Sequence, residues 1–289
     1  MTADATRAAG RGIVASRMGL IQHKREAYWF YRFLSLGYDR WVNPLFWTPP
    51  MRSRALAHGR LDRPDLETLD VGAGTGFTTE GIVEHVDPAR VTMLDQSPHQ
   101  LARAQRKPAL RGCRKMLGDA EELPFADDSF DRYVSAGSVE YWPEPQRAVT
   151  EAYRVLRPGG TALLIGPLRP RARAARALTG AWMLFPEAEE YRAWFARAGF
   201  EQLEAVTLGA LWHSDGEAPY ALAIRGVKPG AGPSPLRLEP KREDLAAPLG
   251  VIGRLRFAGR FVLGSLAGAA FVPVGIVLGL RARLARRGR

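Results

Sequence analysis

Apolar runs at 66–71, 91–94, 113–117, 130–136, 161–165, 203–208 and 220–224 read as seven short strands. Stretches with helical spacing lie between most of them, so the expected fold is α/β with a mostly parallel sheet. Several boundaries follow from single residues. Asp87-Pro88 stops a helix expected over Thr78 to Val86, and Ser97-Pro98 places serine at an N-cap with proline at the first helical position. Ala148, Val149, Ala152, Val155 and Leu156 share one face of a helix from about Pro145 to Leu156, which Arg157-Pro158-Gly159-Gly160 is expected to stop and turn. Glu187, Glu189 and Glu190 open a further helix, Arg197 sits in its last turn, and Gly199 is the expected C′ residue.

The regular pattern divides the chain into 57–227, the α/β domain, and four flanking parts. Residues 1–19 are rich in Ala, Arg and Gly, without an apolar core long enough for a secretory signal; they read as a disordered leader or a short organellar targeting peptide. Residues 20–56 are aromatic, with Tyr28, Trp29, Phe30, Tyr31, Phe33, Tyr38, Trp41, Phe46 and Trp47 interleaved with Arg25, Arg32 and Arg40. Their spacing fits a helix, either packed plainly on the domain or covering an apolar substrate, with one aromatic, Tyr38, touching the ligand below. Residues 228–250 hold prolines at 229, 233, 235, 240 and 248 and read as an extended linker. In 251–289, the stretch Phe261 to Leu280 carries no charge. As a helix rising about 1.5 Å per residue it just matches a hydrocarbon core of roughly 30 Å.

Charge changes how that tail is read. The net charge is +11 and only five residues are lysine, so arginine supplies nearly all of it. Such a balance fits nucleic acid, an anionic membrane surface or a plain bias toward arginine. Arg254, Arg256 and Arg260 precede the apolar stretch and Arg281, Arg283, Arg286, Arg287 and Arg289 follow it. A full crossing would carry the more basic flank away from a cytosolic domain, against the positive-inside tendency. A re-entrant hairpin bent at Pro273 or an interfacial helix avoids that conflict. Gly264/Gly268 and Gly275/Gly279 are each spaced for helix pairing, so a homodimer is an open expectation. The single cysteine, Cys113, excludes an internal disulfide, and the histidines show no metal-ligand spacing.

The chemistry centres on Leu69-Asp70-Val71-Gly72-Ala73-Gly74-Thr75-Gly76-Phe77. Strand, glycine turn and helix start bring backbone amides toward a ligand. The glycines at 72, 74 and 76 make G-x-G-x-G, and Phe77 stands where a dinucleotide loop wants its last glycine. Asp70 would repel a pyrophosphate and attract an ammonium or sulfonium. The implied ligand is S-adenosylmethionine (SAM). Asp95, nineteen residues after Gly76, is spaced to accept from both ribose hydroxyls, with Gln96 beside it in the cofactor site. Asp119 and the Ala120 amide are placed for adenine. The structural alternative for each aspartate alone is a cap or turn residue.

Gly72 to Gly76, Asp95, Gly118-Asp119-Ala120 and Leu156-Arg157-Pro158-Gly159-Gly160 together resemble the motif series of class I SAM-dependent methyltransferases, which implies a Rossmann-like fold. Longer runs carry a narrower resemblance: residues 21–33, Leu94-Asp95-Gln96-Ser97-Pro98-His99-Gln100-Leu101, residues 133–143, Trp182-Met183-Leu184-Phe185-Pro186 and Gly226-Val227-Lys228-Pro229. These resemble the 2-methyl-6-phytyl-1,4-hydroquinone / 2-methyl-6-solanyl-1,4-hydroquinone methyltransferases of plant chloroplasts. The resemblance runs from about residue 20 to the C-terminus and includes a carboxy-terminal membrane segment. It implies C-methylation of a prenylated hydroquinone, on the route to plastoquinone and tocopherol, with membrane lipid as a partner and no nucleic acid. The short leader and the Arg/Gly-rich tail point to a bacterial relative at the cytoplasmic face of the cell membrane. In a photosynthetic eukaryote the place would be the chloroplast inner envelope.

Glu140 and Tyr141, after the fourth strand, are the candidates for base and ring contact. The alternative for Glu140 is a carboxylate that merely shapes its turn; His99 and His213 are weaker candidates. The nearest rival function is a menaquinone- or ubiquinone-type C-methyltransferase. The rival of a different class is a membrane-tethered SAM-binding protein without catalysis.

Overall fold

The computed structural model describes residues 47–171, 184–209 and 219–239, with Arg176 and scattered helical positions between 251 and 277. The leader, Tyr38 and the aromatics before Trp47, Trp182, His213 and most of the tail lie outside the described residues.

In chain order the elements are helix α1 (Pro49–Leu56), β1 (Thr68–Val71), α2 (Phe77–Ile82), β2 (Val91–Asp95), α3 (Pro98–Ala104), β3 (Arg114–Leu117), β4 (Phe130–Ala136), α4 (Pro145–Val155), β5 (Leu156–Pro167), α5 (Ala188–Ala198), β6 (Glu201–Leu208) and β7 (Ala221–Val227). The strands form one seven-stranded sheet in the order β3-β2-β1-β4-β5-β7-β6. β1 to β5 run parallel to one another, whereas β7 runs antiparallel to both β5 and β6. After β1 the chain builds outward through β2 and β3, then returns to place β4 on the other side of β1. That reversal opens a crevice at the carboxyl ends of β1 and β4, where an open α/β sheet holds its ligand.

Two apolar layers fix the sheet. One joins Leu69, Tyr133, Leu164 and Ile224 to α4 and α5 through Ala148, Ala152, Tyr191 and Phe195. The other joins Met93, Val134, Leu163 and Ala223 to α1 and α2 through Met51, Ala55, Leu56 and Ile82. β1 and β7 are buried along their whole length, as strands covered on both faces must be. The caps hold as the sequence indicates. Ser97 accepts from the Gln100 amide, Glu187 and Glu190 form a reciprocal capping box, and Gly199 ends α5 in the left-handed region at φ 97°.

One boundary differs. Arg157-Pro158-Gly159-Gly160 does not separate helix from strand; it lies inside β5, which begins at Leu156. Leu156 pairs with Phe130 and Thr161 with Arg132, so the pairing register shifts across the run, which is an irregularity inside the strand. It is held from outside: Gly159 N–H donates to Lys228 O at 2.8 Å and Lys228 N–H to Gly160 O at 2.9 Å. Those bonds come from beyond β7, out of reach of a local pattern. Residues 228–239 then pass without regular structure along α4 and α5, tied by Ser234 Oγ to Ala198 O at 2.8 Å and by Arg147 to Glu239 O at 2.6 Å. Among the described residues, no helix is long and apolar enough to cross a membrane.

Candidate functional site

The crevice is built outward from β1. Gly72, Gly74 and Gly76 all have positive φ, at 69°, 56° and 83°. A side chain would be strained at each. At Gly72 a Cβ would also meet Ser138 Cβ at 2.5 Å, and at Gly76 it would meet Leu110 Cδ1 at 2.3 Å. The loop is therefore pressed between the turn after β4 and the layer below it. Its amides correct the sequence expectation. Gly72 and Ala73 donate to Leu94 O at 2.8 and 3.1 Å, Gly76 donates to Ala73 O at 2.8 Å, and Gly74 donates to Asp95 Oδ2 at 2.8 Å. These four N–H groups are committed to the fold, so the loop offers close backbone approach more than a ring of free donors.

Asp95, at the end of β2, also accepts from the Ser97 amide through Oδ1 at 2.8 Å. Burial raises its pKa, and the two amide bonds offset part of the rise. Each carboxylate oxygen retains a second lone pair, so both stay open to hydroxyls. Gln96 is exposed beside it. Gly118 sits so close to Leu94 that a Cβ would meet Leu94 Cδ1 at 2.6 Å, which brings the next residue, Asp119, in toward the crevice. Asp119 accepts from the Glu121 amide at 3.0 Å, and Ala120 is buried.

Asp70 differs from the other two. It is 1% exposed, takes the Thr79 hydroxyl on Oδ2 at 2.6 Å, and has no partner for Oδ1. Burial pushes its pKa up to about 7, against the pull of the Thr79 bond. A buried carboxylate with an open oxygen beside a glycine loop fits a cationic ligand end. Thr79 was not legible as part of the site; its only local signal is a threonine nine residues after Asp70, on the next helix.

Past β4, Gly137 turns the chain at φ 64° and Val139–Tyr141 form one 3₁₀ turn. Ser138 packs on Gly72, and its hydroxyl pairs with Ser135 Oγ at 2.6 Å, which itself donates to Val71 O at 2.8 Å. The two serines thus join the turn after β4 to the glycine loop. Glu140 is 8% exposed and its Oε2 has no partner. Burial pushes its pKa up to about 7. Its backbone carbonyl accepts the Leu184 amide at 3.1 Å, which anchors the turn from the α5 side. Tyr141 is buried next to it. The structure brings Asp70, Asp95, Asp119 and Glu140 to one edge of the sheet, whereas His99 stands exposed on α3.

A glycine loop at a topological switch point, acids at the ends of β1 and β2, a third acid just past β3 and a buried carboxylate after β4 define a class I SAM-dependent methyltransferase. Residues 69–164 match the family model described as "Methyltransferase domain". A phosphoethanolamine N-methyltransferase from Haemonchus contortus shares the fold, with a TM-score of 0.57 at 16% identity over 69% of this chain and 60% of that one. The chain is 50% identical over 285 residues to "2-methyl-6-phytyl-1,4-hydroquinone methyltransferase, chloroplastic" of Arabidopsis thaliana, covering 96% of this chain and 83% of that one. The chain belongs to the family of 2-methyl-6-phytyl-1,4-hydroquinone methyltransferases. Likeness to the ubiquinone/menaquinone C-methyltransferase UbiE of Brucella abortus is weaker, 32% over 172 residues and 49% of this chain.

Proposed function

We propose that this methyltransferase methylates a ring carbon of a 2-methyl-6-polyprenyl-1,4-hydroquinone held at a membrane, with Glu140 as the base. The substrate class comes from the near full-length likeness to the plant enzymes. The base comes from one observation, the buried and unpartnered Glu140 Oε2 on the turn that packs against the cofactor loop.

Bound SAM supplies an electrophilic methyl group on a sulfonium. Asp70, the Gly72–Gly76 loop, Asp95 with Gln96, and Asp119 with Ala120 would hold its amino acid, ribose and adenine parts in that order along the strand ends. In a 2-methyl-6-prenyl-1,4-hydroquinone both free ring carbons, at positions 3 and 5, flank the 4-hydroxyl. Removing that hydroxyl's proton therefore activates either carbon. Glu140 accepts the proton on Oε2, and its pKa, pushed up by burial to about 7, suits a base working near neutral pH. After transfer the ring carbon would give up its own proton to water and the 4-oxygen would take back the proton held by Glu140, so aromaticity returns with one proton released overall. Tyr141, next in the turn, lies against the same ring.

The tail is assigned to the lipid surface. Val251, Ile252, Leu255, Val262, Leu266 and Val277 occupy helical positions and are all at least half exposed. Apolar side chains at such spacing beside Arg254 favour an anionic bilayer as their cover. Membrane binding would bring the enzyme to a substrate whose prenyl chain keeps it in lipid.

The test is methyl transfer from labelled SAM to the phytyl and solanyl forms of the hydroquinone in anionic liposomes, read by mass spectrometry. The expected product carries one more ring methyl. Labelling of demethylmenaquinol alone would overturn the substrate assignment. Loss of liposome flotation on deleting 251–289 is the expected result for the tail, and unchanged flotation would remove that role.

A further inference from the structure

Helix α1 runs across the sheet in a known direction. At its start, Met51 Sδ receives the Tyr220 hydroxyl at 3.1 Å, and Tyr220 O accepts the Leu168 amide at 2.8 Å, at the carboxyl end of β5. Just past its end, Gly59 O accepts the Thr161 hydroxyl at 3.3 Å, near the amino end of β5's regular pairing. Trp47 precedes the N-cap Thr48, so it stands at the carboxyl edge, where Glu140 also stands. Its ring packs on the layer formed by α1 and α2, yet its Nε1–H is buried without a hydrogen-bond partner. An indole N–H can only donate, and leaving it unpaired away from water is costly.

Two unpaired polar atoms of opposite kind therefore belong to residues at the same edge of the sheet, on elements packed against opposite layers. Glu140 Oε2, an acceptor, comes from the side that carries Tyr191 and α5; Trp47 Nε1–H, a donor, comes from the side that carries α1. A 1,4-hydroquinone has two oxygens at opposite ends of one ring. Resting on the hydroquinone assignment above, we propose that Trp47 is a substrate-binding residue whose indole N–H donates to the 1-oxygen, the one flanked by the methyl and prenyl groups, while Glu140 serves the 4-hydroxyl. The 1-oxygen is meta to both free carbons and gains no charge as the methyl is transferred. Its hydrogen bond is then equally strong in the ground and transition states, which lowers KM and leaves kcat unchanged. Trp47 selects 1,4-dioxygenated rings over monophenols; Glu140 activates them.

The experiment is a cycle between enzyme and substrate. Wild type and Trp47→Phe are each assayed on the hydroquinone and on the monophenol that keeps the 4-hydroxyl and has hydrogen in place of the 1-oxygen. On the hydroquinone, Trp47→Phe should raise KM about tenfold at unchanged kcat, the scale of one hydrogen bond. On the monophenol the two enzymes should agree, because the contact is already missing. The same factor lost on both substrates, or no loss on the hydroquinone, overturns the assignment. So does a weaker SAM Kd by calorimetry in Trp47→Phe, since the residue would then support the fold or the cofactor. If wild type fails to turn over the hydroquinone at all, the substrate assignment falls and this contact falls with it; additive losses with normal wild-type turnover sink the contact alone.

Discussion

On the cofactor side of the crevice, Asp95 takes the amides of Gly74 and Ser97, and Gly72 and Ala73 share Leu94 O. On the acceptor side, Glu140 Oε2 and Trp47 Nε1 are buried with no partner. The first region has its shape before any ligand arrives, because its polar groups satisfy one another. The second leaves polar groups to be satisfied by what binds. Asp70 lies between the two, with one oxygen on Thr79 and the other open. Under the proposed function, a rigid donor site beside an unsatisfied acceptor site would tie specificity to the ring, since a ligand without matching oxygens would leave those groups unpaired.

The comparison breaks most visibly at Glu140. Glu140→Gln keeps the shape and removes the base, so kcat should fall by about a hundred- to ten-thousandfold. Its SAM Kd should not change, because the cofactor side stands without it. In wild type, kcat/KM should rise as pH passes through about 7, as Oε2 ionises, and the variant should lose that limb. Normal turnover in Glu140→Gln would falsify its role as base and leave it as the support of its turn.

A smaller effect is expected on the self-satisfied side. Asp95→Ala removes the proposed ribose acceptor and strands the amides of Gly74 and Ser97 at once. SAM affinity should fall about a hundredfold, and the ligand-free protein should lose about 1–3 kcal/mol. Asp95→Asn keeps one acceptor oxygen and should fall between the two. Affinity is read by calorimetry and stability by denaturant titration. An Asp95→Ala protein with unchanged stability would show that the loop does not depend on Asp95, and the contrast between the two sides would lose its basis.

Sequence reveals these two sides unequally. The cofactor side is local: glycines that need positive φ, an acid at each strand end and a serine cap all lie within a few residues of the groups they serve. The order of the sheet follows too, because short connections leave few topologies. The acceptor side depends on distant parts of the chain. Glu140 is identifiable by position after β4, but its buried, unpartnered state depends on Leu184 and on the packing of Tyr191 across the layer. Trp47 belongs to an aromatic run in which nothing local distinguishes it. Its place comes from the direction of α1, fixed by Met51 against Tyr220 far along the chain. The start of β5 was hidden for the same reason, since Lys228 holds what reads locally as a turn.

The smallest effect concerns stability without ligand. Burial raises the Asp70 carboxyl from 3.8 and the Glu140 carboxyl from 4.5, each to about 7. Below about pH 4 both groups are protonated whether the chain is folded or not, and the burial carries no ionic cost. Between about pH 4 and 7 the unfolded chain releases these protons and the folded one retains them, so stability falls as pH rises, by up to about 1.4 kcal/mol per pH unit for each group. Above about pH 7 both states are ionised and the slope ends. Denaturant titrations from pH 5 to 8 should show this decline, with a share from Asp95, whose pKa burial also raises. Glu140→Gln and Asp70→Asn should each remove a comparable part of it. Saturating SAM should flatten the Asp70 share alone, because a cation beside the open oxygen of Asp70 favours its ionised form and Glu140 has no such neighbour until the ring binds. If SAM flattened both shares equally, the two carboxylates would belong to one ligand's site, and the division between a finished donor side and a waiting acceptor side would be wrong.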